Sequence, residues 1–186
     1  ITVENLRATL LVRTMEGYRN LCRIISLRHL EKPFSFLNTI VRYSAGLIIL
    51  SDSVPLLNLM RNDIIPGDLY VELRPGARRL QLLTYAKSVK LPAVATNGVY
   101  FVDQNDHALH RVLRAIDCST SLSRLPSDEI QPPSSWLKSA DEMAVDFPDY
   151  PEALANSVRI ADRCTCDLNF GGTIFPSLKV TTGEST

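Results

Sequence analysis

The chain has 186 residues, 45% of them hydrophobic, and its 20 Lys plus Arg are balanced by 20 Asp plus Glu. That length suits one substantial core in a single domain, and the zero net charge excludes a global field that draws the chain onto DNA, so any nucleic-acid contact is expected to be weak and local. No apolar run reaches the roughly 18 residues of a membrane span and no charged-then-apolar leader opens the chain, so the reading is soluble, cytoplasmic and free of membrane contact.

In chain order, residues 7–13 are apolar in the middle and read as a buried strand leading through Gly17 into a helix over 18–30, with Leu21, Ile24 and Ile25 on its buried face. Pro33 stops that helix, and a second short one is expected over 34–42. The run Gly46-Leu47-Ile48-Ile49-Leu50-Ser51 is too apolar to alternate, as expected of a parallel strand covered on both faces. Strands over 68–73 and 92–96 flank an amphipathic helix over 77–90, and this strand-helix alternation predicts parallel strands in an open sheet or a barrel. Further helices are expected over 106–116, after the capping box Ser139-Ala140-Asp141-Glu142, and from Pro151 to about Cys164. Residues 126–135 hold three prolines and three serines and read as a loop, with Trp136 expected to anchor it to the core.

Few residues promise chemistry. Parallel strands present ligands at their C-terminal ends, and the carboxylates near those ends are Asp52 and Glu72, with no histidine at a strand end to join them. His107 and His110 stand one helical turn apart with Asp103 and Asp106 nearby, a weak metal signal that a packed or hydrogen-bonded pair explains as well. Arg74, Arg78 and Arg79 cluster at a strand-to-helix junction, and Arg111 and Arg114 share a helix face; either set suits phosphate contact or an ordinary solvated surface. Gly171-Gly172 is not followed by a Lys-Ser/Thr pair, and Gly-x-Ser-x-Gly is absent, so a phosphate loop and a serine-hydrolase elbow are both disfavoured. The cysteines at 22, 118, 164 and 166 are few, and three sit in apolar patterns where a free thiol packs as a small hydrophobe; Cys164-Thr165-Cys166 lacks the further ligands a zinc site needs. The chain opens at Ile1 without an initiator Met, which suggests a piece of something longer.

A series of motifs in fixed order gathers these elements: Leu10-Leu11-Val12-Arg13 before Gly17-Tyr18-Arg19-Asn20-Leu21, then the strand ending at Ser51, then Leu69-Tyr70-Val71-Glu72-Leu73 and Ala95-Thr96-Asn97. It continues through Trp136-Leu137-Lys138-Ser139, Glu142-Met143 and Phe147, then Pro151-Glu152-Ala153-Leu154 with Asn156, Ile160-Ala161 and Cys164, to Ile174-Phe175-Pro176. Over nearly its whole length the chain thereby resembles the PHP domain of bacterial DNA polymerase III alpha subunits, the C-family replicases. The resemblance implies a partial, distorted β/α barrel with extra C-terminal helices over residues 1–175, lacking the family's N-terminal strands and its His-x-His motif, and a linker over 176–186 toward an absent palm.

In members that keep their ligands, the family's strand ends hold a metal cluster that supports 3′–5′ exonuclease or phosphoesterase chemistry. The match fails at those ligands. Arg7 stands where the active form has His, Ser51-Asp52-Ser53 where it has Ser-Gly-Cys, and Asn97-Gly98-Val99-Tyr100 where it has Asn-Asp-Val-His. With Arg7, Ser53, Gly98 and Tyr100 at four ligand positions, the resemblance implies no metal, cofactor or catalytic residue in this chain. It implies instead a structural scaffold within a DNA-directed polymerase of replication or error-prone synthesis, docking the rest of the polymerase chain and a proofreading or other replisome subunit. Two rivals stand beside it. One is a metal-dependent phosphoesterase with a rearranged site drawn from Asp52, Glu72, Asp103, His107 and His110; the other is an independent interaction module using Arg74, Arg78 and Arg79. The missing first strands further predict an exposed sheet edge through which the fragment dimerises.

Overall fold

The chain wraps its helices around one open, mixed sheet. The computed structural model describes residues 2–3, 6–76 and 78–168, with side chains for 6–76 and 78–168. The segment Ile174-Phe175-Pro176, the Gly171-Gly172 pair and the expected 176–186 linker lie outside those residues. A small antiparallel pair, β1 (Thr2–Val3) with β2 (Leu6–Arg7), precedes the sheet. The sheet itself has the order β3-β4-β5-β6, from Thr9–Val12, Leu47–Ser51, Leu69–Leu73 and Ala93–Ala95.

Two expectations need correction. The apolar run at 7–13 divides at buried Ala8, so that Arg7 belongs to β2 and the sheet strand begins at Thr9. That strand is also antiparallel to β4, with Thr9 opposite Leu50 and Val12 opposite Leu47, whereas β4, β5 and β6 are parallel. The physical reason is the connection. A single crossover helix returns the chain to the strand's starting end, but here α1 (Met15–Leu30) and α2 (Phe36–Arg42) run out and back, and β4 begins beside the place where β3 stops. Among the described residues the sheet is open and no barrel closes.

The meeting of β3, α1 and β4 is made by two glycines. Thr14 caps α1 by accepting from Gly17 N at 3.3 Å, which starts the helix before residue 18. Gly17 then rests on the Gly46 backbone so closely that a Cβ would lie 1.9 Å from Gly46 O, and Gly46 has φ +73°. Gly46 O accepts from Arg13 N, and Asn20 Nδ2 donates to Ala45 O at 2.9 Å. This contact turns α1 so that Gly17, Asn20 and Ile24 are its buried face, leaving Ile25 44% exposed.

Strands β4 and β5 are buried at every residue, in accord with the apolar runs. One face carries Ile49, Val71, Leu73 and Ala95 against α2, α3 (Val54–Met60) and α4 (Arg79–Val89), through Ile40, Leu56, Leu57, Met60, Leu82 and Ala86. On the other face Ile48, Leu50, Tyr70 and Val94 gather with Ile160. Helix α3, in a stretch for which the sequence suggests no element, starts with Pro55 in its first turn. Beyond β6 come α5 (His107–Asp117), α6 (Ala140–Asp146) and α7 (Pro151–Arg163), matching the expected C-terminal helices. The capping box of α6 forms as expected, Ser139 Oγ accepting from Glu142 N while Glu142 accepts from Ser139 N. Helix α7 wraps the β6 edge: Ala153 packs on one face, Ile160 on the other, and Asn156 Nδ2 donates to Ala93 O at 2.8 Å.

Candidate functional site

The C-terminal ends of β4, β5 and β6 lie side by side, because these three strands are parallel. At the end of β4, Ser51 Oγ donates to Arg7 O at 2.7 Å and accepts from Ser53 N at 3.1 Å, which folds the strand into α3 and ties it to β2. Asp52 is half-buried beside this turn. The end of β5 carries Glu72, a buried carboxylate. Both its oxygens are taken: Arg74 Nη2 donates to Oε2 at 2.9 Å and Thr96 Oγ1 to Oε1 at 2.8 Å. At the end of β6, Asn97 Nδ2 donates to the main-chain carbonyls of Ser134 and Trp136, at 3.1 and 2.6 Å.

Two buried polar atoms at this end have no hydrogen-bond partner, Arg74 Nε and Asn97 Oδ1. Gly98, with φ +62°, lies beside the guanidinium: a Cβ built there would stand in ordinary contact with Arg74 Nε, at 3.7 Å. The room a side chain at 98 would enter is thus bordered by a cation. Beside it a cavity of about 230 Å³ is lined by Asp52, Glu72, Arg74, Arg78 and Arg79, so the two strand-end carboxylates do share a space, but three arginines share it with them.

The arginine cluster read from the sequence is dispersed among separate duties. Arg74 neutralises Glu72. Arg79 donates to Asp146 O and lies over the Phe147 and Tyr150 rings, at 5.3 and 5.1 Å from their centroids. Arg78, exposed at the start of α4, is the member placed for solvent. Arg114 is likewise committed, pairing with Asp117 and with both the carboxylate and the carbonyl of Glu129.

The histidine pair sits on α5, and its partners are main-chain groups. His107 Nε2 bonds Gln131 O at 3.1 Å, and His110 Nε2 accepts from Gln131 N at 3.1 Å, so one residue's carbonyl and amide are gripped by two imidazoles. That fixes the tautomers: the proton of His107 is on Nε2 and that of His110 on Nδ1. Burial, with His107 and then Arg114 nearby, pushes the His110 pKa below the ordinary histidine value. Asp106 accepts from Asp103 N at the preceding 3₁₀ turn. Among the described residues no three His, Cys, Asp or Glu side chains converge as a metal site would require, so Asp52 and Glu72 are not brought together with Asp103, His107 and His110.

Trp136 does tie the loop down, chiefly through its backbone. It bridges Phe101, and Leu137 N donates to Phe101 O at 3.0 Å, while the indole is covered by Lys138 Nζ at 4.5 Å from the ring centroid. Lys138, almost wholly buried, also pairs with Asp146. Of the cysteines, Cys22 is exposed and Cys164 packs against the second face of the sheet. No helix among the described residues is long and apolar enough to cross a membrane.

The reading of the sequence missed the Glu72-Arg74-Thr96 set and the grip on Gln131, because Thr96 and Gln131 meet their partners across more than 20 residues of chain. The Glu72-Leu73-Arg74 spacing is the one local signal, since residues two apart on an extended chain share a face. No family model matches the chain. Among curated proteins it is similar to the DNA polymerase III alpha subunit of Pseudomonas fluorescens, 30% identical over 95% of this chain and 17% of that protein. The corresponding subunit of Borreliella burgdorferi is 28% identical over 92% of the chain and 17% of its own length, and that of Escherichia coli strain K12 is 37% identical over 49% and 8%. The chain therefore spans under a fifth of the length of these relatives.

Proposed function

We propose that this chain is a segment of a DNA polymerase III alpha subunit, within its PHP domain, and that the domain serves as a metal-free scaffold and docking surface in DNA replication or error-prone synthesis. Similarity to alpha subunits over 95% of the chain supports the parentage. The observation that carries the scaffold role is the state of the strand ends: both oxygens of Glu72 are occupied by Arg74 and Thr96, and Arg74 borders the room beside Gly98. A cation held where a metal would need ligands opposes metal binding by charge as well as by occupancy. The remainder of the polymerase chain is the first partner, and a proofreading or other replisome subunit the second. Residues 176–186 are proposed as the linker toward the palm, with the PHP portion over 1–175.

A rearranged metal-dependent phosphoesterase or 3′–5′ exonuclease is the second reading, favoured by the cavity that Asp52 and Glu72 share. Elemental analysis of the purified chain after metal-free dialysis, repeated after loading with Zn²⁺ or Mn²⁺, separates the two. Less than about a tenth of an equivalent bound, set against the tight binding of structural sites, is the scaffold outcome. Stoichiometric metal with chelator-sensitive phosphodiester hydrolysis, lost in Glu72→Gln, would establish the enzyme instead.

A further inference from the structure

The segment from Cys118 to Ser135 crosses from the end of α5 back to the C-terminal end of β6, with Leu125 and Ser135 buried and a set of specific polar attachments. Gln131 is held by the two histidines, and Glu129 by Arg114. Ser135 O accepts from Tyr100 N at 2.9 Å, and the Ser134 and Trp136 carbonyls receive the Asn97 amide. The first of these attachments depends on a proton. An uncharged His110 offers Nε2 as acceptor to Gln131 N–H, but an imidazolium presents a donor to that donor.

We propose that His107 and His110 form a proton-operated latch: neutral, they clamp the carbonyl and amide of Gln131 and hold the 118–135 strap against the end of β6; a proton on His110 opens it. His110 is faced on its own helix by His107 and Arg114, from the loop after β6 by the Tyr100 and Phe101 rings at 6.2 and 5.8 Å, and from the strap by the Gln131 backbone. The strap's Glu129 lies on Arg114, and the nearby Asp106 carboxylate is occupied by Asp103 N–H. No carboxylate in this set bonds His110 to favour its charged form. Because the folded state holds the imidazole neutral, the latch contributes fully above the unfolded histidine pKa, and its contribution is lost as pH falls through the lower folded value. With the latch open, the end of the strap that receives the Asn97 amide is held by the Ser135–Tyr100 and Leu137–Phe101 main-chain bonds without the Gln131 grip, so the cover over the end of β6 loosens under acid conditions.

The chain has only three histidines and one tryptophan, which makes the test direct. Amide exchange protection at Gln131 and Trp136 fluorescence are followed on the full chain between about pH 8 and pH 5, alongside the imidazole nitrogen resonances. Both signals should change together with the His110 titration, with Gln131 losing its protection. His110→Gln, whose amide oxygen can accept the same N–H without titrating, should keep the strap closed throughout. Unchanged protection across the range, or the same transition in His110→Gln, would overturn the latch. Should that variant fail to fold, the wild-type tautomers decide: a proton on Nδ1 of His110 and Nε2 of His107 at high pH supports the latch, and the opposite pair refutes it.

Discussion

Strand β5 carries a buried carboxylate at each end, and the two are treated differently. At the N-terminal end Asp68 lies between Arg13, at 3.3 Å, and Arg163, which also donates to Gly67 O and to the Tyr70 hydroxyl. This end joins β3, β5 and α7 in one ionic knot, next to the Gly17-Gly46 contact. At the C-terminal end Glu72 has one arginine and one threonine, and two buried polar atoms beside it, Arg74 Nε and Asn97 Oδ1, are unpaired, against Arg13 Nε alone at the Asp68 end. An ion cluster that ties three distant elements contributes to holding the fold, whereas incomplete pairing beside a cavity marks the end where a parallel sheet does its chemistry in other proteins. In this chain the second end has a cavity whose buried carboxylate is taken up by internal bonds.

The largest effect that would sharpen this contrast is expected from Asp68→Asn. Removing the charge strands two arginines and should cost about 3–5 kcal/mol, read from urea denaturation; a loss below about 1 kcal/mol, the scale of an ordinary hydrogen bond, would break the comparison. Gly17→Ala at the same end should cost about 1–3 kcal/mol, since the added Cβ meets the Gly46 carbonyl and the backbone must shift. Glu72→Gln leaves one arginine without its counter-charge where Asp68→Asn leaves two, and should cost about 1.5–3 kcal/mol, the range of a hydrogen bond to a charged group. If it destabilised the chain as much as Asp68→Asn, both ends would be structural alike. Arg78→Ala, on the exposed start of α4, should stay within about 0.5 kcal/mol by thermal melting.

Legibility in the sequence followed the same division. The strands at 47–51 and 69–73 were readable because burial on both faces demands continuous apolar runs, and the α6 cap was readable because its two bonds lie within four residues. The direction of β3 was not, since it depends on two helices meeting two glycines, and α3 was hidden by its seven-residue length and its proline. Arg163 reaches Asp68 from 95 residues away, a pairing that no local pattern announces. The candidate site divided similarly: Arg7, Ser53, Gly98 and Tyr100, which the resemblance sets against the family's ligands, could be read one by one, but that Arg74 turns back on Glu72 and borders Gly98 belongs to the tertiary structure.

The Asn156 bond to Ala93 O has a bearing on how copies of this chain can associate. With α7 laid along β6, that side of the sheet is terminated by a helix and a side-chain amide, so strand-by-strand growth stops there. Among the described residues β3 pairs only with β4, and it is through β3 that any further strand would add. A sheet that extends on one side alone would pair once: two molecules joined back to back through β3 would leave no edge for a third, and such an assembly would end in a closed pair, not a fibre.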